Sequence, residues 1–262
     1  MFSRKPAAPD TDLAQADLEA RDARDRARAG DWAAARDLIV AAGDDWELRG
    51  RRLAVLGDAV ADSPQWLDVW EAATPDDPTV AILRASSLMD LAGRARGDRS
   101  ARATSPEEFR EFHRLAILAA EAADRAVALN PLDPNPWVTR MTSMLANGRG
   151  RQEEFVAAMG EAVKRDPFNC DAHIMAVTYF CEKWYGSHEQ MFAAARGRPT
   201  RPPAPRSRCC LCWRISSTRF AHSASTPGGP PWPRRPPTSA EPTWCRRSRR
   251  ARRSGARPVN RA

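Results

Sequence analysis

Long apolar runs are absent from the 262-residue sequence, and none approaches the roughly 20 residues that span a bilayer. The first ten residues, MFSRKPAAPD, also lack the apolar core of a signal peptide. Only Cys170 and Cys181 fall within residues 11–195, which is too few for a disulfide framework. These absences predict a cytoplasmic protein with no membrane segment and with a disordered N-terminus over residues 1–10.

Motifs that carry catalysis or bind cofactors are missing as well. The sequence contains no P-loop, no glycine-rich dinucleotide fingerprint and no nucleophile elbow. The three histidines before residue 196, His113, His173 and His188, stand in no metal-ligand or nucleophile spacing. We interpret Glu107 and Glu108 as acids at a helix start, where the helix dipole favours negative charge, and not as a catalytic pair. We therefore predict no cofactor, no catalytic residue and no metal, and we favour a non-enzymatic role over an enzymatic one.

The charge of the chain divides sharply at residue 196. Residues 196–262 contain seventeen arginines, no lysine and one acid, Glu241, so their net charge is +16. Because the whole chain carries +8, residues 1–195 carry −8. The basic segment also holds twelve of the 22 prolines and four of the six cysteines. The chain is thus a mildly acidic body, residues 11–195, followed by a strongly basic tail, residues 196–262.

The body is rich in helix formers and has hardly any strand signal. Apolar residues recur at helical spacing, as Trp32, Ala35 and Ile39 do, and glycine or proline separates one such stretch from the next. Thr11 is a candidate cap for the first helix, and Ser105 followed by proline suits the start of the longest one. These features predict an all-α fold of stacked antiparallel helix pairs, with four pairs complete and a fifth begun.

The helix pairs repeat along the chain. Pro75, Pro131 and Pro167 end corresponding helices, at separations of 56 and 36 residues. RASSLM at 84–89 and RMTSML at 140–145 are again 56 residues apart. Two anchors with one offset indicate genuine internal repeats. The longer separation indicates an insertion of about twenty residues between two of the repeats.

This pattern resembles the tetratricopeptide repeat (TPR) family. Gly30-Asp31-Trp32 resembles the family's turn into the second helix of a pair. Ala126 and Ala162 match its late small position, and Trp137 matches its early aromatic position. The resemblance covers residues 12–195 and implies a TPR-like α-solenoid, in which neighbouring pairs bury one another's apolar faces.

The departures from the TPR pattern are also specific. Arg84 and Arg140 stand where the family prefers leucine, and Met141 and Val177 stand where it prefers glycine. The resemblance nevertheless implies that the first helix of each pair lines a concave face. That face is expected to bind a protein or peptide partner, extended or basic, through a polar and slightly acidic row: Thr79, Ser86, Asp90, Asn135, Thr142, Asp171, Thr178 and Glu182. A merely solvated face is the alternative.

The basic tail admits three interpretations. Cys209 and Cys212 have the spacing of one half of a zinc site, with His222 and Cys245 as further ligands, but a second close pair is missing. The arginine cluster at 246–253 suits a disordered segment that binds nucleic acid. A nucleic-acid partner is thus expected only if the tail is a genuine protein segment.

The third interpretation is a shifted reading frame in GC-rich DNA. Read in the other frame, RCCLCWR at 208–214 encodes an apolar stretch rich in leucine that ends in alanine. Shifted alanine codons become proline or arginine codons, which accounts for the tail's composition and for its lack of lysine. We favour this interpretation, under which the tail is disordered and Tyr179, Phe180 and Phe192 are left exposed. An enzyme whose active part is lost with the original frame remains an alternative to a binding scaffold.

Overall fold

The computed structural model describes residues 11–147 and 149–199, and the regular elements within them are all helical. Of the segments predicted to be disordered, residues 1–10 and the part of 196–262 from residue 200 onward lie outside the described residues, as do the cysteine, histidine and arginine candidates of the tail. Arg196, the first residue of the predicted tail, is the last residue of a helix. The described helices are, in order, α1 (Leu18–Arg28), α2 (Trp32–Val40), α3 (Trp46–Asp62), α4 (Gln65–Ala73), α5 (Pro78–Arg96), a short 3-10 helix (Ala101–Ala103), α6 (Pro106–Leu129), α7 (Asn135–Asn147), α8 (Gln152–Arg165), α9 (Cys170–Tyr179) and α10 (His188–Arg196). The prediction of an all-α fold is confirmed.

Aspartate or asparagine precedes most of the odd-numbered helices and caps their first turn. Asp17 Oδ1 accepts from the Ala20 amide at 3.0 Å, and Asp45 caps α3 in the same way. A capped amide is one of four that would otherwise lack a partner at a helix start. The prediction that Thr11 begins the first helix is wrong, because the chain makes turns until Asp17 supplies the cap.

Neighbouring helices pack in a regular order. Each odd-numbered helix contacts the even-numbered helix that follows it, and it also contacts the next odd-numbered helix. Each even-numbered helix from α2 to α8 contacts the odd-numbered helix after it. Every amphipathic helix therefore covers its apolar stripe with its neighbours in sequence, which defines a helical repeat.

One contact between side chains of neighbouring helices occurs twice, 56 residues apart, which is also the separation of Pro75 and Pro131. Arg84 of α5 pairs with Asp68 of α4, with Nη2 and Oδ1 2.6 Å apart. Arg140 of α7 pairs with Asp124 of α6, and both partners lie 56 residues further along the chain. A contact between two helices recurs at one offset only if both helices and their packing are repeated.

The predicted insertion of about twenty residues lies between Pro75 and Pro131, within α5, α6 and the segment that joins them. α5 and α6 are the longest described helices, with 19 and 24 residues, and the 3-10 helix joins them. Ser105 and Glu108 form a capping box at the start of α6, which confirms that Glu107 and Glu108 are helix-start acids. The extended ends bury a small apolar cluster of their own around Ala92, Phe112 and Leu115.

Two larger apolar clusters hold the stack together. The first joins α1 to α5 and the end of α6 around Ile39, Leu56 and Trp70, each fully buried. The second joins α7 to α10 around Met141, Phe155 and Tyr179, also fully buried. Met141, Met144 and Met159 all belong to this second cluster, with exposures of 0%, 2% and 5%.

The predicted exposure of Tyr179 and Phe180 is wrong. Tyr179 is fully buried and stacks on Phe155, with ring centroids 3.8 Å apart, and Phe180 is 8% exposed. Both aromatics are covered because the chain after α9 turns back, so that the Tyr185 amide donates to the Tyr179 carbonyl at 3.1 Å. Phe192 is 38% exposed, as predicted.

No helix in the described part of the chain combines the length and the hydrophobicity that crossing a membrane would require.

Candidate functional site

The predicted polar row lies on α5, α7 and α9 and just beyond α9, and these helices contact one another in that order. The row is not uniformly accessible. Thr79 and Asn135 are buried, at 4% and 6% exposure, whereas Glu182 is exposed. The half-buried members are Ser86, Asp90, Thr142, Asp171 and Thr178. Six of the eight residues therefore retain surface that a partner could contact, and their binding role stays a prediction.

Helix α3 lies against the beginning of this row. A Cβ atom added to Gly50 would stand 2.8 Å from Asn135 Oδ1 and 3.5 Å from Asp171 Oδ2. The structure thus brings Asn135 and Asp171 together at the N-terminal ends of α7 and α9, with the backbone of α3 against them. A glycine inside a helix costs about 1 kcal/mol relative to alanine, and the close approach explains why one stands here.

A second glycine of α3 repeats this arrangement two turns later. A Cβ atom added to Gly57 would stand 2.6 Å from Asp90 Oδ2 and 3.1 Å from Ser86 Oγ. Residues seven apart lie on the same face of a helix. Gly50 and Gly57 therefore form one flat side of α3 that borders the polar row, which means that the row is closed along that side.

A buried ion pair anchors the same region. Arg49 Nε donates to Asp133 Oδ2 at 2.8 Å, and the two side chains are 7% and 2% exposed. The other Asp133 oxygen accepts from the amide and the side-chain nitrogen of Asn135, both at 2.8 Å. Asn135 is thereby held in place by Asp133, so its buried carboxamide serves the packing of α3 on α7.

The two half-buried threonines of the row, Thr142 and Thr178, can accept a hydrogen bond from a partner but have no free hydroxyl hydrogen to donate. Thr142 donates its hydroxyl to the Val138 carbonyl at 2.8 Å, and Thr178 donates to the Ile174 carbonyl at 2.9 Å. Both bonds reach four residues back within a helix, which is a common arrangement for threonine. Because each hydroxyl hydrogen is committed, the accessible oxygens act as acceptors.

The other groups of the row that could contact a partner include three carboxylates. Asp90, Asp171 and Glu182 lie on α5, on α9 and just after α9. Glu182 Oε2 lies 2.7 Å from His188 Nδ1, and both side chains are 70% exposed. A surface contact of this kind is weak. The accessible part of the row therefore consists mainly of hydrogen-bond acceptors with negative charge.

A repeated arginine was missed by the sequence reasoning. Arg24, Arg52, Arg84 and Arg140 each stand seven residues after an aspartate at a helix start, namely Asp17, Asp45, Asp77 and Asp133. Each arginine pairs with a carboxylate on another segment: Asp12 for Arg24, Asp17 and Glu19 for Arg52, Asp68 and Glu71 for Arg84, and Asp124 for Arg140. The spacing Asp-x6-Arg was visible in the sequence. The arginine of this spacing forms the ion pair between its own helix and the preceding segment.

The buried histidine of α9 has an unusual environment. His173 is 4% exposed, its Nε2 lies 3.0 Å from the Pro167 carbonyl, and its Nδ1 is buried with no hydrogen-bond partner among the described residues. The carbonyl can only accept, so Nε2 carries the proton of the neutral ring. Burial lowers the pKa of His173, Arg198 lowers it further, and the contacts with Pro167 and Asp166 oppose the shift.

A shallow depression beside α1 offers little for a ligand to bind. It measures about 480 Å³ and is lined by Thr11, Asp12, Leu13, Arg24, Arg28, Val55 and Asp58. Arg24 donates to both Asp12 oxygens at 2.8 and 2.9 Å, and Arg28 pairs with Asp62 at 2.7 Å. These charges are neutralised within the protein. Among the described residues, no three histidine, cysteine or acidic side chains are grouped so as to hold a metal ion.

Comparisons with protein-family models, with curated proteins and with solved structures found no match to this chain.

Proposed function

We propose that this chain is a TPR-like helical-repeat protein that binds an extended segment of a protein or peptide and catalyses no reaction. The observation that carries the proposal is the recurrence of the Arg84–Asp68 pair as Arg140–Asp124. Stacked helix pairs form a continuous surface, and such surfaces are used to bind extended segments.

The chemistry of the accessible row favours a basic partner. Three carboxylates and two threonine oxygens accept hydrogen bonds, whereas Thr79 and Asn135 are buried. Arginine and lysine side chains and peptide N–H groups are the matching donors. An acidic segment would meet like charges in the same place, which costs binding energy.

Fluorescence anisotropy with two labelled peptides of equal length tests this proposal. One peptide alternates arginine with small residues, and the other alternates glutamate with the same residues. We expect the full-length chain to bind the basic peptide through the row, whereas any binding of the acidic peptide by the arginines of residues 196–262 should not respond to changes in the row. The triple variant Asp90→Asn, Asp171→Asn, Glu182→Gln should weaken binding about tenfold, because three charges, two half-buried and one exposed, contribute about 0.5 kcal/mol each.

A control variant of equal charge separates the row from general electrostatics. Asp44→Asn, Asp76→Asn, Glu189→Gln removes three exposed carboxylates that lie outside the row. This control should leave the affinity for the basic peptide within about twofold, roughly 0.4 kcal/mol. Equal weakening by both triple variants, or no binding of the basic peptide, would contradict the proposal.

A further inference from the structure

The polar row carries its negative charge in the first and the third of the repeats that form it. The offsets of 56 and 36 residues make Asp90 on α5, Ala146 on α7 and Glu182 equivalent positions. Asp90 is half-buried, and Glu182 is exposed in the turn that follows α9. The middle position holds alanine, whose side chain has no charge and no polar atom. The row is therefore acidic over α5, uncharged over α7 and acidic again after α9.

Side-chain contacts recur at the same two offsets, about one helical turn earlier in these helices. Thr142 and Thr178, 36 residues apart, are both half-buried, and each donates to the carbonyl four residues back. Ser87 and Ser143, 56 residues apart, are both buried, and each donates to the carbonyl three residues back. Residues at these offsets therefore occupy equivalent places on α5, α7 and α9.

The two acids can accept from a partner in addition to their contacts within the protein. Asp90 Oδ2 lies on the α3 side, where a Cβ atom added to Gly57 would stand 2.6 Å from it. Glu182 Oε2 lies 2.7 Å from His188 Nδ1 at the surface. An ionised carboxylate has two oxygens with about four acceptor positions. A cation of the partner can therefore join the existing contacts of each acid without displacing them.

The separation of the two acids is set by the packing of the helices that carry them. Helix α5 contacts α7, and α7 contacts α9. Contacting helices lie about 8–10 Å apart, so two such steps separate the acids by roughly 16–20 Å. An extended chain advances about 3.3 Å per residue, so this separation corresponds to roughly five or six positions of a bound peptide. Between the acids, the Thr142 oxygen can accept from a peptide N–H.

We infer that the row selects partners in which two basic side chains are separated by about four or five uncharged residues. The inference rests on the proposed function, because it specifies the partner of the same row. One basic side chain lies against Asp90 and the other against Glu182, while the residues between them cross α7 at Thr142 and Ala146. A basic residue in the middle of the segment would meet no carboxylate on α7.

Fluorescence anisotropy with isomeric peptides tests the inference. Each labelled peptide has blocked, uncharged ends and the same composition, two arginines among serines and glycines. The arginines are separated by about two residues in the short isomer, about five in the middle isomer and about ten in the long isomer. We expect the full-length chain to bind the middle isomer about threefold more tightly than the others, which is the effect of one surface charge pair. Residues 200–262 are present in every measurement, so their charge does not distinguish the isomers.

Two variants change the charge pattern in opposite ways. Asp90→Asn leaves charge only in the third repeat, so the isomers should bind with equal affinity, to within about 1.5-fold. Ala146→Asp adds the missing middle charge and should raise the affinity of the short isomer about threefold, because one helix spacing of about 10 Å then suffices. Circular dichroism should show unchanged helix content in both variants. Asp76→Asn is the matched control: it removes an exposed carboxylate outside the row and should retain the preference for the middle isomer.

The possible outcomes separate this inference from the proposed function. Equal binding of the isomers by the parent chain, or a preference that survives Asp90→Asn, would overturn the inference while the row still binds basic peptides. Binding of the arginine-alternating peptide without binding of any isomer would overturn it as well. If no basic peptide binds at all, the proposed function is contradicted and this inference with it.

Discussion

Arg49 and Asp133 are 84 residues apart in sequence, and their side chains meet at 2.8 Å inside the protein, where both are almost inaccessible to solvent. The pair joins the second helix pair to the loop that precedes the fourth. Arg49 also donates to the Ile39 carbonyl at 3.3 Å, so one guanidinium links three segments. The contact ties the second helix pair to the start of the fourth, although the whole third pair lies between them in sequence.

Removing either partner of this ion pair should destabilise the protein strongly. Arg49→Met leaves the Asp133 carboxylate buried without its cation, and Asp133→Asn leaves the guanidinium without its anion. Each change should lower the free energy of unfolding by about 3–5 kcal/mol, because an unpaired buried charge is costly. Urea unfolding of both single variants and the double variant measures this.

The double variant tests the coupling between the two residues. With both charges gone, no buried charge remains unpaired, so Arg49→Met with Asp133→Asn should cost less than the two single losses added together. A strictly additive result would show that the residues act independently.

Two glycines should respond to alanine in opposite directions. A Cβ atom at Gly186 would stand 2.2 Å from the Phe180 carbonyl oxygen, and that backbone cannot withdraw because the Gly186 amide is tied to the Cys181 carbonyl. Gly186→Ala should therefore destabilise the protein by about 1–3 kcal/mol or more. Gly160 is exposed within α8 and a Cβ atom there meets nothing within 4 Å.

Gly160→Ala is thus the matched control and should stabilise the protein by about 1 kcal/mol, which is the helix-propensity difference. Thermal unfolding of the two variants and the parent chain should show a lower midpoint temperature for Gly186→Ala and a higher one for Gly160→Ala. Equal effects would mean that the turn at Gly186 is looser than its contacts indicate.

The sequence predicts the helices well because the information is local. The apolar spacing of Trp32, Ala35 and Ile39 and the helix start at Ser105-Pro106 each act within one or two turns, and both helices are found where they were expected. The start of α1 was misplaced because aspartate and threonine are both good caps, and position alone did not favour Asp17 over Thr11.

The candidate site is less predictable because it depends on how helices rotate against one another. Thr79 and Asn135 share the helical face of the accessible residues, but each lies near the start of its helix, and Asn135 is covered there by the glycine side of α3. Nothing in the spacing of Asn135 shows that α3 approaches so closely. The Asp-x6-Arg spacing, by contrast, was present in four repeats and indicates the inter-repeat ion pairs directly.

Acidification should weaken the protein through His173. Burial lowers the pKa of His173 below 6.5, its value in the unfolded chain, so the unfolded state binds more protons as the pH falls below 6.5. The free energy of unfolding should therefore decrease as the pH falls from 6.5 toward the lowered pKa, and the contribution is fully retained above 6.5. Urea unfolding at pH 7.5 and pH 5.5, values chosen about one unit either side of 6.5, measures the slope.

Replacing the titrating ring should remove this part of the pH dependence. His173→Gln keeps a donor for the Pro167 carbonyl and cannot be protonated in this range. Its stability should change less than that of the parent chain between the two pH values. An unchanged slope in His173→Gln would assign the acid sensitivity to other groups.

The gene itself tests the origin of the basic tail. If the frame shifts near residue 197, the DNA read in the other frame should encode amphipathic helices with apolar residues at helical spacing, beginning with the leucine-rich stretch that underlies residues 208–214. The first of those helices should carry an apolar stripe able to cover Val177 and Met191, because both residues are only half-buried in the last pair. The same shift applied to the codons of residues 11–195 is the control, and it should give no such spacing. A stop codon before one helix pair is complete, or a shifted product without an apolar repeat, would mean that the arginine-rich tail is the segment that was selected.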